Sequence, residues 1–282
     1  MFIHPKLRDA RPLMIVGGPR CGTRFVANAL NRSPIVLVQR EIPSQAMDNA
    51  VRFLSEASDY FASVPQWAAG WEQGRRALLY ALWASMVKGR PLAVRTPTSW
   101  FGHKTPRHDQ YWEFYRDFFG DISPKYVFCM RNFVDHYLSM NSMNDVLIDQ
   151  VAREYRASVA RYAEMKAALG ENVSLFILDD LREGGIDYVR ETLFERLGIE
   201  VDRQTLSRID VSHKANSTEG VGRPRRKELT ADERSFLDKN DDLLDALQAL
   251  RAATPLRRNI DSMTTWKRWL NQRRGGPRQW LG

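Results

Sequence analysis

The chain has 282 residues, 43% hydrophobic and 27% charged, proportions that belong to a globular protein and exclude a mostly disordered one. No run of about eighteen apolar residues occurs, which argues against a membrane-spanning helix, and two cysteines cannot build a disulfide framework. The formal net charge of +8 calls for an anionic partner, whether nucleic acid, an acidic membrane surface or a phosphorylated cofactor.

The N-terminal MFIHPKLRDARPL has no apolar stretch ahead of a small-residue cleavage site, so no secretory leader is expected and a cytoplasmic location fits. The first apolar run, LMIV (13–16), reads as a strand and leads through a glycine-bearing loop into a helix at 23–32. IVLVQ (35–39) reads as the second strand and is followed by helical patterns at 45–61 and 71–86. PLAVR (91–95) is expected to be the third strand, with a helix at 110–119 after it. KYVFCM (125–130) precedes helices at 134–142 and 145–169; VSLFIL (173–178) precedes one at 188–197, which ends at Gly198 as a helix C-cap would. Most of the strand runs are apolar throughout rather than alternating, as in strands buried on both faces of a parallel sheet. Strand–helix alternation then implies a three-layer α/β fold around a parallel sheet of about five strands.

Beyond 198 the pattern changes. KANSTEGVGRPRR (214–226) is polar, glycine-containing and basic, and reads as a loop. Thr230 then caps a new helix, with Glu233 three residues on completing a capping box. The C-terminal WKRWLNQRRGGPRQWLG mixes Trp with Arg and Lys.

The stretch MIVGGPRCGTRFVANAL (14–30) carries the first functional signal. A loop between strand and helix, framed by Gly17 and Gly22, presents backbone N–H groups and the positive end of a helix dipole to an anion. Arg20 and Arg24 add charge-assisted, bidentate-capable donors. A nucleotide triphosphatase would place Lys and then Ser/Thr after the last glycine, whereas Gly22 is followed here by Thr23 and Arg24. VSLFILDD points the other way, since an apolar strand ending in Asp179 suits a magnesium-binding carboxylate, and a P-loop kinase is the runner-up.

These residues resemble those of sulfotransferases that use 3′-phosphoadenosine 5′-phosphosulfate (PAPS). Pro19-Arg20-Cys21-Gly22-Thr23 is similar to the family's P-[KR]-x-G-[ST] loop for the 5′-phosphosulfate, with Arg20 where many members have Lys. KYVFCMRNFVDHYLSM resembles the strand–turn–helix R-[DN]-P-x-[DE]-x-x-x-S, with Phe133 in place of Pro; by that resemblance Arg131 and Ser139 take the 3′-phosphate. SWFGHKTPRH is similar to W-G-x-K-[TS]-P, and ILDDLREGGIDYVRETLFERLGI to the "YEDL" strand end and following helix, with Leu178 for Tyr, which gives Asp179 a structural role. GVGRPRR resembles the basic loop that closes over the 3′-phosphate and adenine, which nominates Gly222, Arg223 and Arg225. The five segments fall in family order over most of residues 12–245, and the resemblance implies a P-loop nucleotide-hydrolase-like fold. It further implies one domain over 1–282, with a helical acceptor-side insert at about 44–90 and a basic aromatic tail at about 255–282.

Sulfuryl transfer, like phosphoryl transfer, needs positioned cations at the leaving oxygen and a base at the acceptor hydroxyl, and requires no metal if Arg and Lys carry the charge. The expected cofactor-binding set is Arg20, Cys21, Gly22, Thr23, Arg24, Arg131, Ser139, Gly222, Arg223 and Arg225, with PAPS as co-substrate and 3′,5′-ADP (PAP) as product. The expected catalytic set is Glu41, Lys104 and Arg20. Glu41 follows the second strand and Arg40, as in saccharide-directed branches of the family. His103 and His108 compete for the base role, although loop histidines are commonly solvated. Arg95-Thr96-Pro97 competes with Lys104-Thr105-Pro106 for the donor-side cation. Cys21, at a helix start, is expected to have a lowered thiol pKa. The acceptor, a saccharide, lipid-linked or small molecule, is expected over 43–90, where Phe53, Tyr60, Phe61, Trp67, Trp71, Tyr80 and Trp83 recur. Most of these suit a helix core, and some could stack on an acceptor. A third class, a basic binding module, is favoured most by the tail, where Trp266, Arg268, Trp269 and Trp280 make a candidate for peripheral membrane contact. No nucleic-acid motif is present, so no nucleic-acid partner is expected.

Overall fold

A computed structural model describes residues 7, 9–89, 92–93, 98–120, 122–212 and 226–254. Apolar runs form strands β1 (Arg11–Gly17), β2 (Val36–Gln39), β3 (Trp100–Lys104), β4 (Lys125–Met130) and β5 (Val173–Ile177), paired in the order β2-β3-β1-β4-β5. Every pairing is parallel. Continuous hydrophobicity explains this, because alternate residues of one strand feed opposite layers. Met14 and Val16 belong to a core built with helices α2 (Ser44–Ala62), α3 (Pro65–Met86), α4 (Trp112–Phe119), α5 (Phe133–Asn144), α6 (Ile148–Leu169), α9 (Ala231–Asp238) and α10 (Asp242–Ala253). Leu13 and Ile15 face α1 (Thr23–Leu30), α7 (Leu181–Val189) and the π-helical turn Arg190–Glu195, with α8 (Arg203–Ser207) at the margin. The result is a three-layer α/β fold. The chain runs from β1 outward to β2, returns through β3, and then crosses β1 to β4 and β5. Ligand crevices of such sheets open at the carboxyl ends of the strands, where this reversal occurs.

The third strand departs from expectation: it is WFGHK, not PLAVR. Residues 92–93, within the predicted run, lie in neither strand nor helix, although Leu92 still pairs with a strand through the Gln39 amide, which accepts from Leu92 N–H at 2.8 Å and donates to its carbonyl at 3.2 Å. The preference for WFGHK comes from packing. β3 presses so closely on β1 that a Cβ at Gly102 would sit 1.5 Å from the Leu13 carbonyl oxygen. His103, fully buried, meets Thr105 Oγ1 at 3.1 Å and Tyr115 OH at 3.2 Å, so a polar strand loses little on burial.

Other boundaries follow local chemistry. α5 ends at Asp145, which takes a left-handed φ of 53°, and the next helix therefore restarts at Ile148 rather than 145. The capping box at Thr230 and Glu233 forms with both of its hydrogen bonds. Of the aromatics at 53–83, Tyr80 and Trp83 are core, whereas Phe53, Tyr60 and Trp67 are exposed at 54%, 56% and 47%. Among the described residues no helix is long and apolar enough to cross a membrane. The C-terminal tail lies outside the described residues.

Gly102→Ala is expected to cost about 3 kcal/mol or more, or to abolish folding, because the added methyl must push apart two central strands. Urea unfolding of the variant checks this, and an unchanged midpoint would contradict the strand pairing described.

Candidate active site

The loop after β1 turns on two left-handed residues. Gly22, with φ 92°, forms the N-cap of α1. Arg20 adopts φ 68°, a conformation that costs a non-glycine residue about 1 kcal/mol or more and is held by its surroundings. Arg20 Nε donates to Ser139 Oγ, 3.0 Å away on α5. The residue nominated for the 5′ end thus touches one nominated for the 3′-phosphate, although 119 positions separate them.

Arg131 directly follows β4 and is 9% exposed; its Nη2 lies 3.4 Å from Asp135 Oδ2, while its Nε is buried without a partner among the described residues. Such an orphaned guanidinium donor fits an absent anion. The turn behind it is fixed by Asn132, which caps α5 by accepting from Asp135 N–H at 2.9 Å. Asn132 N–H donates to Asp179 Oδ2 at 2.6 Å, and its amide donates to Asp179 Oδ1. Asp179 therefore spends both oxygens on the Arg131 turn, and this structural use removes the main argument for a magnesium-binding kinase carboxylate. Burial raises the Asp179 pKa, with Arg131 and Asn132 opposing that effect.

Arg20, Thr23, Arg24, Glu41 and Lys104 line one open cleft of about 770 Å³ at the carboxyl ends of β1, β2 and β3. Lys104, in register beside Ile15 of β1, ends β3 and donates to Glu41 Oε1 in a close ion pair. Lys88, just past α3, approaches Glu41 Oε2 at 3.7 Å and gives its backbone N–H to the Glu41 carbonyl at 2.8 Å. Burial by itself would raise the Glu41 pKa; the hydrogen bond and charge of Lys104, with those of Lys88, outweigh it and hold the carboxyl below its ordinary value. Thr105 steadies the arrangement by accepting from Ile42 N–H at 3.1 Å.

Several expectations change. Cys21 is 1% exposed, and its thiol turns away from the cleft to lie 3.2 Å from His136 Nδ1. Burial pushes that thiol up to about 12, with Arg131 opposing, so the expected lowering by the helix dipole is overturned. His103 and His108, expected to be solvated, are both fully buried. Burial takes His108 down to about 4 and His103 well below its ordinary value, and neither lines the cleft. None of the seven aromatics of 53–83 lines the cleft either. Of the two candidates for the donor-side cation, Lys104 ends a central strand and lines the cleft; Arg95 lies outside the described residues.

Gly222, Arg223 and Arg225 also lie outside the described residues. The chain that follows them is anchored at Arg226, whose backbone N–H donates to Ser142 Oγ at 3.3 Å and whose guanidinium bonds Glu233 Oε1 at 2.9 Å. Glu233 also accepts from Tyr137 OH, so α5 and the capping box of α9 share one carboxylate. Sequence reasoning missed Lys88, which follows a helix in a Lys-Gly pair without motif, and the tie between Asn132 and Asp179, which joins positions 47 apart.

Residues 12–177 match the profile of the Sulfotransferase family. No curated protein sequence matches the chain. Among solved structures, mouse sulfotransferase SULT7A1 complexed with PAP aligns at 13% identity and TM-score 0.46, covering 94% of this chain and 89% of that one. Sulfotransferase STF9 from Mycobacterium avium aligns at 16% identity and TM-score 0.47, covering 90% and 80%. The sulfotransferase domain of the Synechococcus PCC 7002 olefin synthase aligns at 14% identity and TM-score 0.47, covering 93% and 95%.

The folded-state pKa of Glu41 lies below the unfolded one, so its ion pairs contribute stability above the ordinary carboxylate pKa and lose it as pH falls through the folded value. Lys104→Met is expected to raise the Glu41 titration midpoint, because burial then acts with less opposition. A carboxyl-labelled NMR titration reads this directly, and an unmoved midpoint would contradict the pairing.

Proposed function

The chain belongs to the Sulfotransferase family, and on that premise we propose that it transfers the sulfuryl group of PAPS to an acceptor hydroxyl, with Glu41 as general base. The observation that carries this reading is the convergence on one region of Arg20, Ser139, Lys104 and Glu41. A donor with anionic groups at both its 5′ and 3′ positions suits that convergence. When bound, PAPS supplies an activated sulfuryl group, whose bond to the phosphate oxygen breaks as the acceptor oxygen attacks in line.

The residues of the chain do the rest. The loop N–H groups, Arg20 and the positive end of α1 receive the 5′ anion. Arg131, through its unpartnered Nε, and Ser139 receive the 3′-phosphate, with the turn held by Asn132 and Asp179. Lys104 meets the charge that develops near the bridging oxygen, a contribution of about 3 kcal/mol for one preorganised donor. Glu41 takes the acceptor proton and later yields it to water. In the structure Lys104 holds Glu41 ionised but engaged. Turning Lys104 toward a sulfonate releases the carboxylate and strengthens it as a base, which couples donor binding to base activation. The α2–α3 insert contributes Ser44 and the residues after α3 contribute Lys88 to the rim, which supports an acceptor entering from that side. Acceptor hydroxyls of saccharide, lipid-linked or small-molecule type all remain within this chemistry.

Calorimetry with PAP is expected to show binding that EDTA does not weaken. Arg131→Ala should lose at least about ten-fold more affinity for PAP than for adenosine 5′-monophosphate, since only PAP carries the 3′-phosphate. Equal losses for the two ligands would refute that role. Glu41→Gln should lower kcat by about 10²- to 10⁴-fold while leaving PAP affinity nearly intact; a kcat within three-fold of the parent would move the base elsewhere.

A further inference from the structure

The cleft wall holds more positive charge than the donor chemistry uses. It is lined by Arg20, Arg24, Arg40, Lys88, Lys104 and Arg107, with Glu41 as its one carboxylate among the described residues. Three of the cations are engaged: Arg20 on Ser139, Lys104 on Glu41, and Arg107 on Glu154 at 2.5 Å. Arg24, at the start of α1, stands beside the anion loop and belongs with the donor. Arg40 and Lys88 remain.

These two share one place. Residues 40–41 run alongside 88–89: Lys88 N–H reaches the Glu41 carbonyl, and Arg40 Nη1 lies 3.5 Å from where a Cβ on Gly89 would stand. Arg40 is exposed and makes no ion pair or hydrogen bond with any described residue. Among the described residues, the Lys88 side chain has only the long 3.7 Å approach to Glu41 Oε2, and it is 63% exposed. One oxygen of Glu41 therefore faces Lys104 at the end of β3, and the other faces the Arg40–Lys88 side. The start of α2 lies on the same wall at Pro43 and Ser44, with no side-chain cap and no acidic residue in its first turn, and adds the positive end of a dipole.

We propose that the acceptor carries an anionic substituent (carboxylate, sulfate or phosphate) near the hydroxyl it presents, and that Arg40 and Lys88 receive that substituent. This rests on the reading of Glu41 as the base at the acceptor hydroxyl. Lys88, with Lys104, weakens the base by holding its proton off, and a neutral acceptor would leave the field of Lys88 in place. An anionic acceptor cancels it upon binding, so the substrate that fits the wall also restores the base. Charge-assisted, partly desolvated contacts to an Arg and a Lys discriminate strongly between an anion and its neutral isostere.

The test uses the full chain saturated with PAP and titrated calorimetrically with matched probes. Methyl glucuronide and glucose 6-phosphate are compared with methyl glucoside, and 4-hydroxyphenylacetate with 4-hydroxyphenylacetamide. At least one anionic probe is expected to bind about ten-fold or more tightly than its neutral partner, which is the effect of one good charged contact. The carboxylate and phosphate arms identify which anion is preferred. Arg40→Gln combined with Lys88→Gln should erase the difference while changing PAP affinity less than two-fold. Equal binding within every pair, no binding by any probe, or a preference that survives the double substitution would each overturn the proposal. Loss of PAP binding by the parent protein would instead strike the co-substrate reading, so the two failures are distinguishable.

Discussion

The contact from Arg20 to Ser139 is the constraint on which the site depends. It joins a loop after the first strand to a helix after the fourth, across the point where the sheet reverses direction. Each partner is held by its own local device. Arg20 is fixed in a left-handed backbone at the entry to α1, and Ser139 sits on α5, whose first turn is capped by Asn132. Loosening either device would separate the two elements that, on the proposed reading, a single adenosine bisphosphate reaches together.

The second governing relation is electrostatic. Glu41 is placed among cations because β2 and β3 are neighbours and the chain past α3 returns to the end of β2. That placement gives a carboxylate ionised at rest and restrained by Lys104. Its proton affinity therefore depends on the charges around it in the cleft. On the proposed reading of Glu41 as the base, such a site is poor at abstracting a proton in isolation and improves as anionic ligands fill it. Such behaviour separates substrate recognition from basicity no more than physical chemistry requires, since both follow from one local field.

Buried polar groups explain why the architecture tolerates this charge. His103, His136 and Asp179 would each be costly alone. His103 pairs with Thr105 and Tyr115, His136 with Cys21, and Asp179 with Asn132. The His136 pair lies under the loop at Gly18, the Asp179 pair under the Arg131 turn, and the His103 pairs beside Lys104 at the end of β3, so all three stiffen supports of the site.

Much of this was legible in the chain. Runs such as MIVGG and YVFCM announced parallel strands because each position must satisfy an apolar layer, and the loop at 17–23 and the Arg131–Ser139 spacing are local patterns that span no more than about two turns of backbone. The capping box at Thr230 was equally local. WFGHK was not legible as a strand, because its polarity is compensated by partners far away in sequence and its Gly102 is explained only by the Leu13 backbone beside it. Nor could the sequence foresee that the Cys21 thiol would turn inward, since burial overrides a helix dipole only once the surrounding core is known. The sequence by itself thus determined the layered sheet, the glycine-framed loop after its first strand and the identity of the charged residues near it. Only the tertiary structure decided which of those charges meet, bringing Lys88 and Lys104 to opposite oxygens of Glu41 and leaving Arg40 without an ion pair among the described residues, because pairing across a sheet depends on strand order and packing that no local pattern encodes.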